Sequence, residues 1–140
     1  MIEIAPARRE DMPVIEEAVG RMKLDAEDLQ VEQFIVARDD GKMVGFGRIK
    51  PYGNGVYELG SIGVMEEARG NRVGVRLVEE LIARFPSEEI YITTDLVDYF
   101  MRFGFTPTAS APRVILDKVD RVCSSLRSGV VPMTLRRRRP

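Results

Sequence analysis

The pattern of apolar and polar residues at the start of the chain predicts a short strand followed by a helix. Apolar and charged residues alternate over Ile2–Ile4, which is typical of a strand. Asp11 is expected to cap a helix that carries Pro13 in its first turn. Apolar residues at spacings of three and four form one face of this helix, namely Met12, Ile15, Val19 and Met22.

The next segment predicts a second helix and then three strands. The short helix is expected near Leu29, because Asp25 precedes Asp28 by three positions. Three runs rich in β-branched and aromatic residues follow it, over Phe34–Arg38, Met43–Ile49 and Val56–Met65. The turns between these runs are expected at Asp39–Lys42 and Tyr52–Gly55. Pro51 is expected to end the middle run, since proline lacks the N–H that a strand ladder uses.

From Val73 onward the apolar period changes from two to 3.6 residues, which predicts the clearest helix in the chain. Its buried stripe is expected to consist of Val73, Leu77, Leu81 and Phe85, with Val78 and Ile82 beside it. Pro86 is expected to end this helix, and a strand over Ile90–Thr93 follows. The strand–helix–strand unit is expected to be parallel and right-handed. A shorter helix over Leu96–Arg102 is expected to end at Gly104.

The last part of the chain predicts one more helix and a closing strand. The helix is indicated by the apolar spacing of Ile115, Val119, Val122 and Leu126. Cys123 is expected to be a small buried residue on it. A strand over Val130–Leu135 closes the chain, and Pro132 predicts that this strand lies at an edge or contains a bulge.

Together these elements predict an α+β fold with α/β/α layers, in which a mixed, mostly antiparallel sheet has helices on both faces. We expect a single domain over residues 1–135, followed by a basic tail over residues 136–140.

Length and composition limit the classes of protein that fit. A chain of 140 residues with 44% apolar and 31% charged residues is expected to bury roughly two-thirds of its unfolded surface as one domain. Since no apolar run approaches the ~18 residues that span a bilayer, we expect a cytoplasmic protein without a membrane partner. The chain has no histidine and one cysteine, which excludes Ser-His-Asp and Cys-His nucleophile systems and histidine-ligated metals. We therefore expect no bound metal.

The charge distribution argues against a nucleic-acid partner. Of the 21 basic residues, four are Arg136 to Arg139, so the remaining 17 face 22 acidic residues. A mildly acidic body has no general attraction for a phosphate backbone. The sequence leaves the oligomeric state open, with a homodimer as one option.

The most informative stretch is Glu58–Val75, which reads ELGSIGVMEEARGNRVGV. It predicts a strand that enters a glycine-containing loop, whose last residues begin the long helix. Backbone amides at a helix start have no intrahelical partner, and they attract anions such as a pyrophosphate. Gly70 and Gly74 would let such a ligand approach the backbone, while Arg69 and Arg72 would add positive charge.

Two glycines inside the preceding strand indicate a ligand that lies along it. Gly60 and Gly63 interrupt an otherwise good β run, where glycine usually marks a bulge or a closely bound ligand. An extended ligand could pair with this strand, with its pyrophosphate in the loop and an acyl group beside Glu58. Acetyl-CoA has this shape.

The same stretch resembles the GNAT acetyltransferase superfamily. Arg69–Gly74, RGNRVG, is similar to the family's R/Q-x-x-G-x-G/A signature, although Arg72 stands where the pattern has glycine. Tyr99–Phe105, YFMRFGF, resembles the family's aromatic helix with its Gly-Phe ending. The resemblance implies an acetyl-CoA-dependent N-acetyltransferase that acts by direct transfer, with Glu58 as general base. It also implies a donor site formed by Ile62, Gly63, Val64, Arg69, Gly70, Asn71, Arg72, Val73, Gly74 and Val75.

A narrower resemblance concerns the later part of the chain. Thr93–Phe100, followed by Gly104 and Phe105, is similar in spacing to the acetyltransferase domain of N-acetylglutamate synthases. Arg127 and Ser128 resemble the substrate-binding end of that family.

This narrower resemblance implies a small-molecule amine or an amino acid as acceptor. Two alternatives stay open, which are acetylation of a protein amine and a non-catalytic module that binds CoA for regulation. Phe100 stands where many family members have a tyrosine, so the leaving thiolate is expected to be protonated by water or to depart unprotonated.

Overall fold

The structure is a computed structural model, and it describes residues 1–137. The strands are β1 (Ile2–Pro6), β2 (Phe34–Asp39), β3 (Lys42–Gly53), β4 (Val56–Val64), β5 (Glu89–Thr94), β6 (Thr106–Pro107) and β7 (Val131–Arg136). The helices are α1 (Met12–Arg21), α2 (Val73–Arg84), α3 (Val97–Met101), α4 (Arg113–Lys118) and α5 (Ser124–Leu126), with a π-helical turn over Val119–Cys123. Short 3-10 turns cover Arg9–Asp11, Val31–Gln33 and Glu66–Ala68. Of the predicted basic tail, Arg136 belongs to β7, and residues 138–140 lie outside the described residues.

The strands form two sheets, with the orders β1-β2-β3-β4 and β5-β7-β6. β1 and β2 pair antiparallel, and β7 pairs antiparallel with both β5 and β6. The predicted α+β class with mostly antiparallel strands is confirmed. The prediction of a parallel strand–helix–strand unit within one sheet is wrong, because β4, which precedes α2, and β5, which follows it, belong to different sheets.

Contacts within the chain define two compact units. The first consists of Met1–Ile49 and Gly60–Arg84, and the second of Lys50–Leu59 and the chain from Phe85 onward. The longest described helix, α2, has 12 residues, and within residues 1–137 we find no helix with the length and apolar character needed to cross a membrane.

In the first unit, α2 packs closely on β3 because β3 carries glycines beneath it. A Cβ atom on Gly45 would lie 2.8 Å from Leu77 Cδ1, and one on Gly47 would lie 2.7 Å from Leu81 Cδ1. A Cβ atom at either position would push the leucine side chain above it out of place, so glycine allows this close packing. One buried apolar cluster of this unit consists of Ile15, Ala18, Val19, Phe34, Val36, Phe46 and Met65.

In the second unit, an aromatic cluster packs between α3 and the β5-β7-β6 sheet. The rings of Phe100 and Phe105 meet edge to face with centroids 6.0 Å apart. Gly104 separates α3 from Phe105 and has φ +100, so its predicted role as the end of this helix is confirmed. The buried apolar residues of this unit are Leu59, Phe85, Ile90, Ile92, Phe100, Phe105, Ala111, Ile115, Cys123 and Met133.

Both glycine-containing turns connect their strands as expected, but the middle strand runs past Pro51. Asp40 and Gly41 both have positive φ, as do Asn54 and Gly55, which is the backbone that a two-residue hairpin turn requires. β3 therefore continues to Gly53, and the prediction that Pro51 ends this strand is wrong. Proline removes a single donor from a ladder, whereas the Asn-Gly turn sets where the chain reverses.

The closing strand β7 is central in its sheet, so the prediction of an edge strand or a bulge from Pro132 is wrong. Pro132 lies opposite Thr93 in β5, in a register without shifts. Its carbonyl accepts a hydrogen bond from the Thr108 amide at 3.0 Å, which faces the β6 side. Because N–H and C=O of one strand residue point the same way, the missing N–H of Pro132 also faces that side. β6 is only two residues long and ends there, so little pairing is lost.

Two predictions near α1 are also wrong. Asp11 precedes α1 without capping it, because its carboxylate accepts the backbone N–H of Arg8 at 2.8 Å and Arg38 Nη2 at 2.5 Å instead. No helix forms at Leu29; the chain makes a turn there, and a 3-10 turn follows at Val31–Gln33. Asp28 has φ +54, which is incompatible with a helix start at that point.

The buried Asp11–Arg38 pair predicts a loss of stability in acid. Burial alone would raise the pKa of Asp11, but the hydrogen bonds from Arg38 and the Arg8 amide outweigh it and hold this pKa below its ordinary value. Because the pKa is lowered in the folded state, ionised Asp11 stabilises the fold, and this stabilisation is complete at pH values above the ordinary pKa of about 3.9. It is lost as the pH falls through the folded-state pKa. Asp11→Asn is therefore expected to lower the free energy of unfolding at pH 7 by about 1–3 kcal/mol, with the difference from wild type shrinking below about pH 4.

Thermal unfolding followed by circular dichroism between pH 2 and pH 8 measures this difference. The exposed Asp117 provides a control, because Asp117→Asn removes a carboxylate for which the structure gives no ion pair within residues 1–137. A difference between Asp11→Asn and wild type that stays constant across the whole pH range would contradict the prediction.

Candidate functional site

A buried carboxylate, Glu58, lies in β4 and is held by three side chains of the second unit. Only 3% of Glu58 is exposed. Its Oε1 accepts the Tyr52 hydroxyl of β3 at 2.5 Å. Its Oε2 accepts the Thr93 hydroxyl of β5 at 2.6 Å and Lys118 Nζ of α4 at 2.8 Å. The chain therefore places a negative charge out of water and surrounds it with donors, as a buried charge requires.

Lys118 is as deeply buried as its partner, with 2% exposed. Its ammonium also donates to Thr93 Oγ1 at 2.7 Å and contacts Cys123 Sγ at 3.5 Å. Thr93 thus accepts from Lys118 and donates to Glu58, which fixes the direction of its hydroxyl. A buried ion pair of this kind persists because the remaining lone pairs and protons also find partners.

The π-helical turn brings Cys123 to Lys118. An α-helix would bring residues three or four positions apart onto one face, whereas a π-helical turn brings together residues that are five apart. The predicted stripe of Ile115, Val119, Val122 and Leu126 is therefore corrected, because the fully buried positions are Ile115, Lys118 and Cys123. The prediction that Cys123 is buried on this helix is confirmed.

Sequence reasoning identified Glu58 and missed its three partners. A lysine three positions after Ile115 on an apolar helix face was a readable signal of a buried cation. Its pairing with a strand residue 60 positions earlier was not readable, since no local pattern links them.

The loop between β4 and α2, in the first unit, has the open backbone that its glycines predicted. Gly70 has φ +92 and Arg72 has φ +61. Among the described residues, the structure gives no hydrogen bond from the amides of Val73, Gly74 or Val75, which begin α2. Gly70 and Arg72 are exposed, as are Arg69 and Asn71. The arrangement can accept an anion at these amides, with arginines at its rim.

Arg72 occupies a conformation that favours glycine. Its φ of +61 lies in the left-handed region, which is unfavourable for a residue with a Cβ atom. This agrees with the family signature, which has glycine at the same position.

The glycines of β4 differ in what requires them. A Cβ atom on Gly63 would lie 2.5 Å from Phe46 Cζ and 2.9 Å from Met22 Sδ, so core packing alone explains this glycine. Gly60 has open space where a side chain would be. Between them, Ser61 has φ +46, as at a β-bulge, and its hydroxyl donates to the Asp25 carbonyl at 3.0 Å.

Arg48 holds this part of β4 in the first unit. It is 1% exposed, and its Nε donates to Ser61 Oγ at 3.0 Å. Its two terminal nitrogens donate to the carbonyls of Asp28 and Asp25 and to Gln33 Oε1. One buried guanidinium thus ties the turn after α1 to the strand.

Arg127 and Ser128 follow α5 in the second unit. Arg127 Nη1 donates to Asp95 Oδ1 at 3.0 Å, and both side chains are about 30% exposed. Asp95 also lines a pocket of about 290 Å³ with Leu96, Val97, Asp98 and Tyr99. Ser128 is exposed. The structure thus brings Arg127, but not Ser128, to an acidic partner.

The predicted site residues divide between the two units. Glu58, Arg127 and Ser128 belong to the second unit. Ile62, Gly63 and Val64 belong to the first, together with the loop residues from Arg69 to Val75. Within residues 1–137, no three cysteine or carboxylate side chains cluster in a way that would hold a metal ion.

Comparisons with known proteins agree with the fold. The sequence model of the Acetyltransferase (GNAT) family matches residues 3–105, which is more than half of the chain. A structure of N-acetylglutamate synthase from Neisseria gonorrhoeae, complexed with coenzyme A and N-acetyl-glutamate, has a TM-score of 0.80 at 15% identity. It matches 99% of this chain, and this chain spans only 36% of that protein.

Two further structures are similar over most of both chains. Rv2747 from Mycobacterium tuberculosis, in complex with CoA and NLQ, has a TM-score of 0.77 at 21% identity, over 96% of this chain and 98% of that one. The ribosomal-protein-S18-alanine N-acetyltransferase from Escherichia coli has a TM-score of 0.70 at 14% identity, over 100% of this chain and 96% of that one. At these identities the likeness establishes the fold.

Proposed function

This chain belongs to the GNAT family of acetyltransferases, and from that premise we propose that it transfers acetyl from acetyl-CoA to the primary amine of a small molecule, with an amino acid as the leading acceptor. The family match over residues 3–105 carries the proposal. The buried carboxylate of Glu58, which accepts three hydrogen bonds, supports it, because the reaction needs a base in a defined position.

We propose the loop before α2 as the site of the donor's phosphates. The amides of Val73, Gly74 and Val75 are available at the positive end of a 12-residue helix. Arg69 and Arg72 add charge at the rim, and Gly70 and Asn71 leave room for the pyrophosphate. The backbone of Ile62, Gly63 and Val64 is proposed to bind the pantetheine and to polarise the thioester carbonyl.

The first chemical step removes a proton from the acceptor. An amine of lysine-like basicity is protonated at pH 7, about three pH units below its pKa, so deprotonation costs about 4 kcal/mol before attack begins. We propose Glu58 as the base that takes this proton. Its fixed carboxylate can do so without reorganising, because Thr93 and Lys118 hold Oε2 in place.

The neutral amine then attacks the thioester carbonyl carbon within a ternary complex. A C–N bond forms, the C–S bond breaks, and CoA leaves as a thiolate. The second amine proton passes to water as the amide forms, and the thiolate takes a proton back from water. Phe100 is buried and has no hydroxyl with which to assist this step.

We propose Arg127 and Ser128 as the groups that bind the acceptor's carboxylate. Arg127 is partly exposed and makes a single-atom contact to Asp95, which leaves its other terminal nitrogen for a ligand. The gonococcal synthase structure holds N-acetyl-glutamate, an acetylated amino acid, which supports this class of acceptor. The Escherichia coli enzyme for the alanine of ribosomal protein S18 keeps a protein amine as the second candidate.

Two measurements test the proposal together. Titration calorimetry with acetyl-CoA is expected to show binding, and thiol release is expected with at least one acceptor from a panel of amino acids, polyamines and amino-terminal peptides. Release with a peptide alone favours the protein substrate. Binding without release across the panel supports a non-catalytic CoA module, and no binding at all overturns the proposal.

Blocking the loop is expected to abolish donor binding. Gly74→Trp would place an indole at the second residue of α2, over the amides proposed for the pyrophosphate, so calorimetric heat with acetyl-CoA is expected to vanish. Gly20→Trp is the matched control, because Gly20 lies on α1 with open space around it. Unchanged affinity in a folded Gly74→Trp protein would place the donor elsewhere.

A further inference from the structure

The two oxygens of the Glu58 carboxylate differ in how many donors they meet. A carboxylate offers about four lone-pair positions, two on each oxygen. Thr93 and Lys118 both donate to Oε2, whereas Oε1 accepts from Tyr52. Oε1 is therefore the less crowded oxygen, and the hydroxyl of Tyr52 is the group that donates to it.

Glu58 itself is almost inaccessible, whereas Tyr52 is only half-buried. An acceptor amine cannot contact a carboxylate that is 3% exposed unless another group connects them. The Tyr52 hydroxyl is hydrogen-bonded to Oε1 at 2.5 Å, and a hydroxyl can accept one proton while donating another. The ring of Tyr52 also lies 5.0 Å from Lys50 Nζ, which fixes it from one face.

We propose that Tyr52 is the proton relay between the acceptor amine and Glu58, an inference that rests on the proposed function. The ammonium of the acceptor gives one proton to the Tyr52 oxygen while the Tyr52 O–H proton passes to Glu58 Oε1. Tyr52 is neutral before and after, Glu58 becomes neutral, and the amine becomes a nucleophile. Glu58 later returns the proton to solvent by the same route.

The relay assigns distinct roles to the groups around the carboxylate. Thr93 and Lys118 orient Glu58 through Oε2 and do not carry the proton. Lys50 lies over the Tyr52 ring, Lys118 donates to Glu58, and Cys123 contacts Lys118.

Tyr52→Phe tests the relay because it removes the hydroxyl and keeps the ring against Lys50. With the amino acid that the wild type acetylates fastest, kcat at pH 7 is expected to fall by on the order of 100-fold, with the KM for acetyl-CoA within about twofold of wild type. With hydroxylamine, whose amine is already neutral at pH 7, the deficit is expected to fall below about fivefold, because no proton has to be removed before attack. Tyr57→Phe is the matched control, since Tyr57 packs on Phe85 and lies outside this cluster.

Each outcome bears on the proposal in a defined way. A deficit that is equal for the amino acid and for hydroxylamine would show that Tyr52 only shapes the site, and would overturn the relay. An active wild type with an equally active Tyr52→Phe would also overturn it, while the proposed function stands. A wild type that binds acetyl-CoA and acetylates neither hydroxylamine nor any member of the panel of amino acids, polyamines and peptides removes the proposed function and the relay with it.

Discussion

Glu58→Gln is expected to lower kcat at pH 7 by on the order of 100- to 1000-fold. Glutamine keeps the shape of the side chain but cannot take a proton, so turnover depends on the small fraction of acceptor that is already neutral. While the pH is below the amine's pKa, the neutral fraction rises tenfold for each unit by which the pH increases. The deficit is therefore expected to be largest at low pH and to narrow as the pH rises. Steady-state thiol release between pH 6 and pH 10 measures it.

The affinity for acetyl-CoA separates a chemical effect from a structural one. The donor site proposed at Ile62–Val64 and in the loop before α2 does not include Glu58, so calorimetry is expected to give nearly unchanged binding for Glu58→Gln. Glu89→Gln is the matched control, because Glu89 in β5 accepts hydrogen bonds from Thr134 outside this cluster. Equal activity of Glu58→Gln and wild type at every pH would remove Glu58 from the base role.

Lys118→Met is expected to lower the free energy of unfolding by about 3–5 kcal/mol. Methionine fills a similar volume but leaves the Glu58 carboxylate buried without its counter-charge. Removing one partner of a buried pair costs more than the pair itself contributes, because the remaining charge stays out of water. Urea denaturation followed by circular dichroism gives the difference, with Lys42→Met on the exposed side of β3 as the control.

The double variant Glu58→Gln/Lys118→Met decides whether this loss comes from the pair. With both charges removed, the loss of unfolding free energy is expected to be smaller than the sum of the two single losses. Strictly additive losses would show that the two side chains act independently, contrary to the 2.8 Å contact between them.

The individual helices, strands and turns were predictable from the sequence, whereas the pairing of strands that are distant in the sequence was not. The stripe of α2 and the two glycine turns of β3 appeared in the sequence because their physical causes are local: helical periodicity and positive φ. The place of β7 between β5 and β6 depends on which long-range pairing is most favourable, and no local pattern encodes it. The prediction from Pro132 was wrong for that reason, since the free-energy cost of its missing N–H depends on the length of β6.

In the candidate site too, the local features were predictable and the long-range contacts were not. A charged residue within a buried strand identified Glu58, and the glycines identified an open loop before α2. The π-helical turn could not be predicted, because the apolar residues of this segment are too irregularly spaced to distinguish π-helical from α-helical spacing. Without that turn, the contact of Lys118 with Cys123 could not be inferred, and neither could the donors that hold Glu58.

Arg72 affects both the stability of the fold and the positive charge of the loop before α2. A side chain in the left-handed region disfavours the folded chain by about 1–2 kcal/mol compared with a right-handed backbone. In the proposed donor site, this cost accompanies a positive charge that attracts polyanions, and the attraction weakens in concentrated salt. Heat resistance and capture of the proposed donor therefore favour different residues at position 72, and a variant selected for one property is expected to lose some of the other.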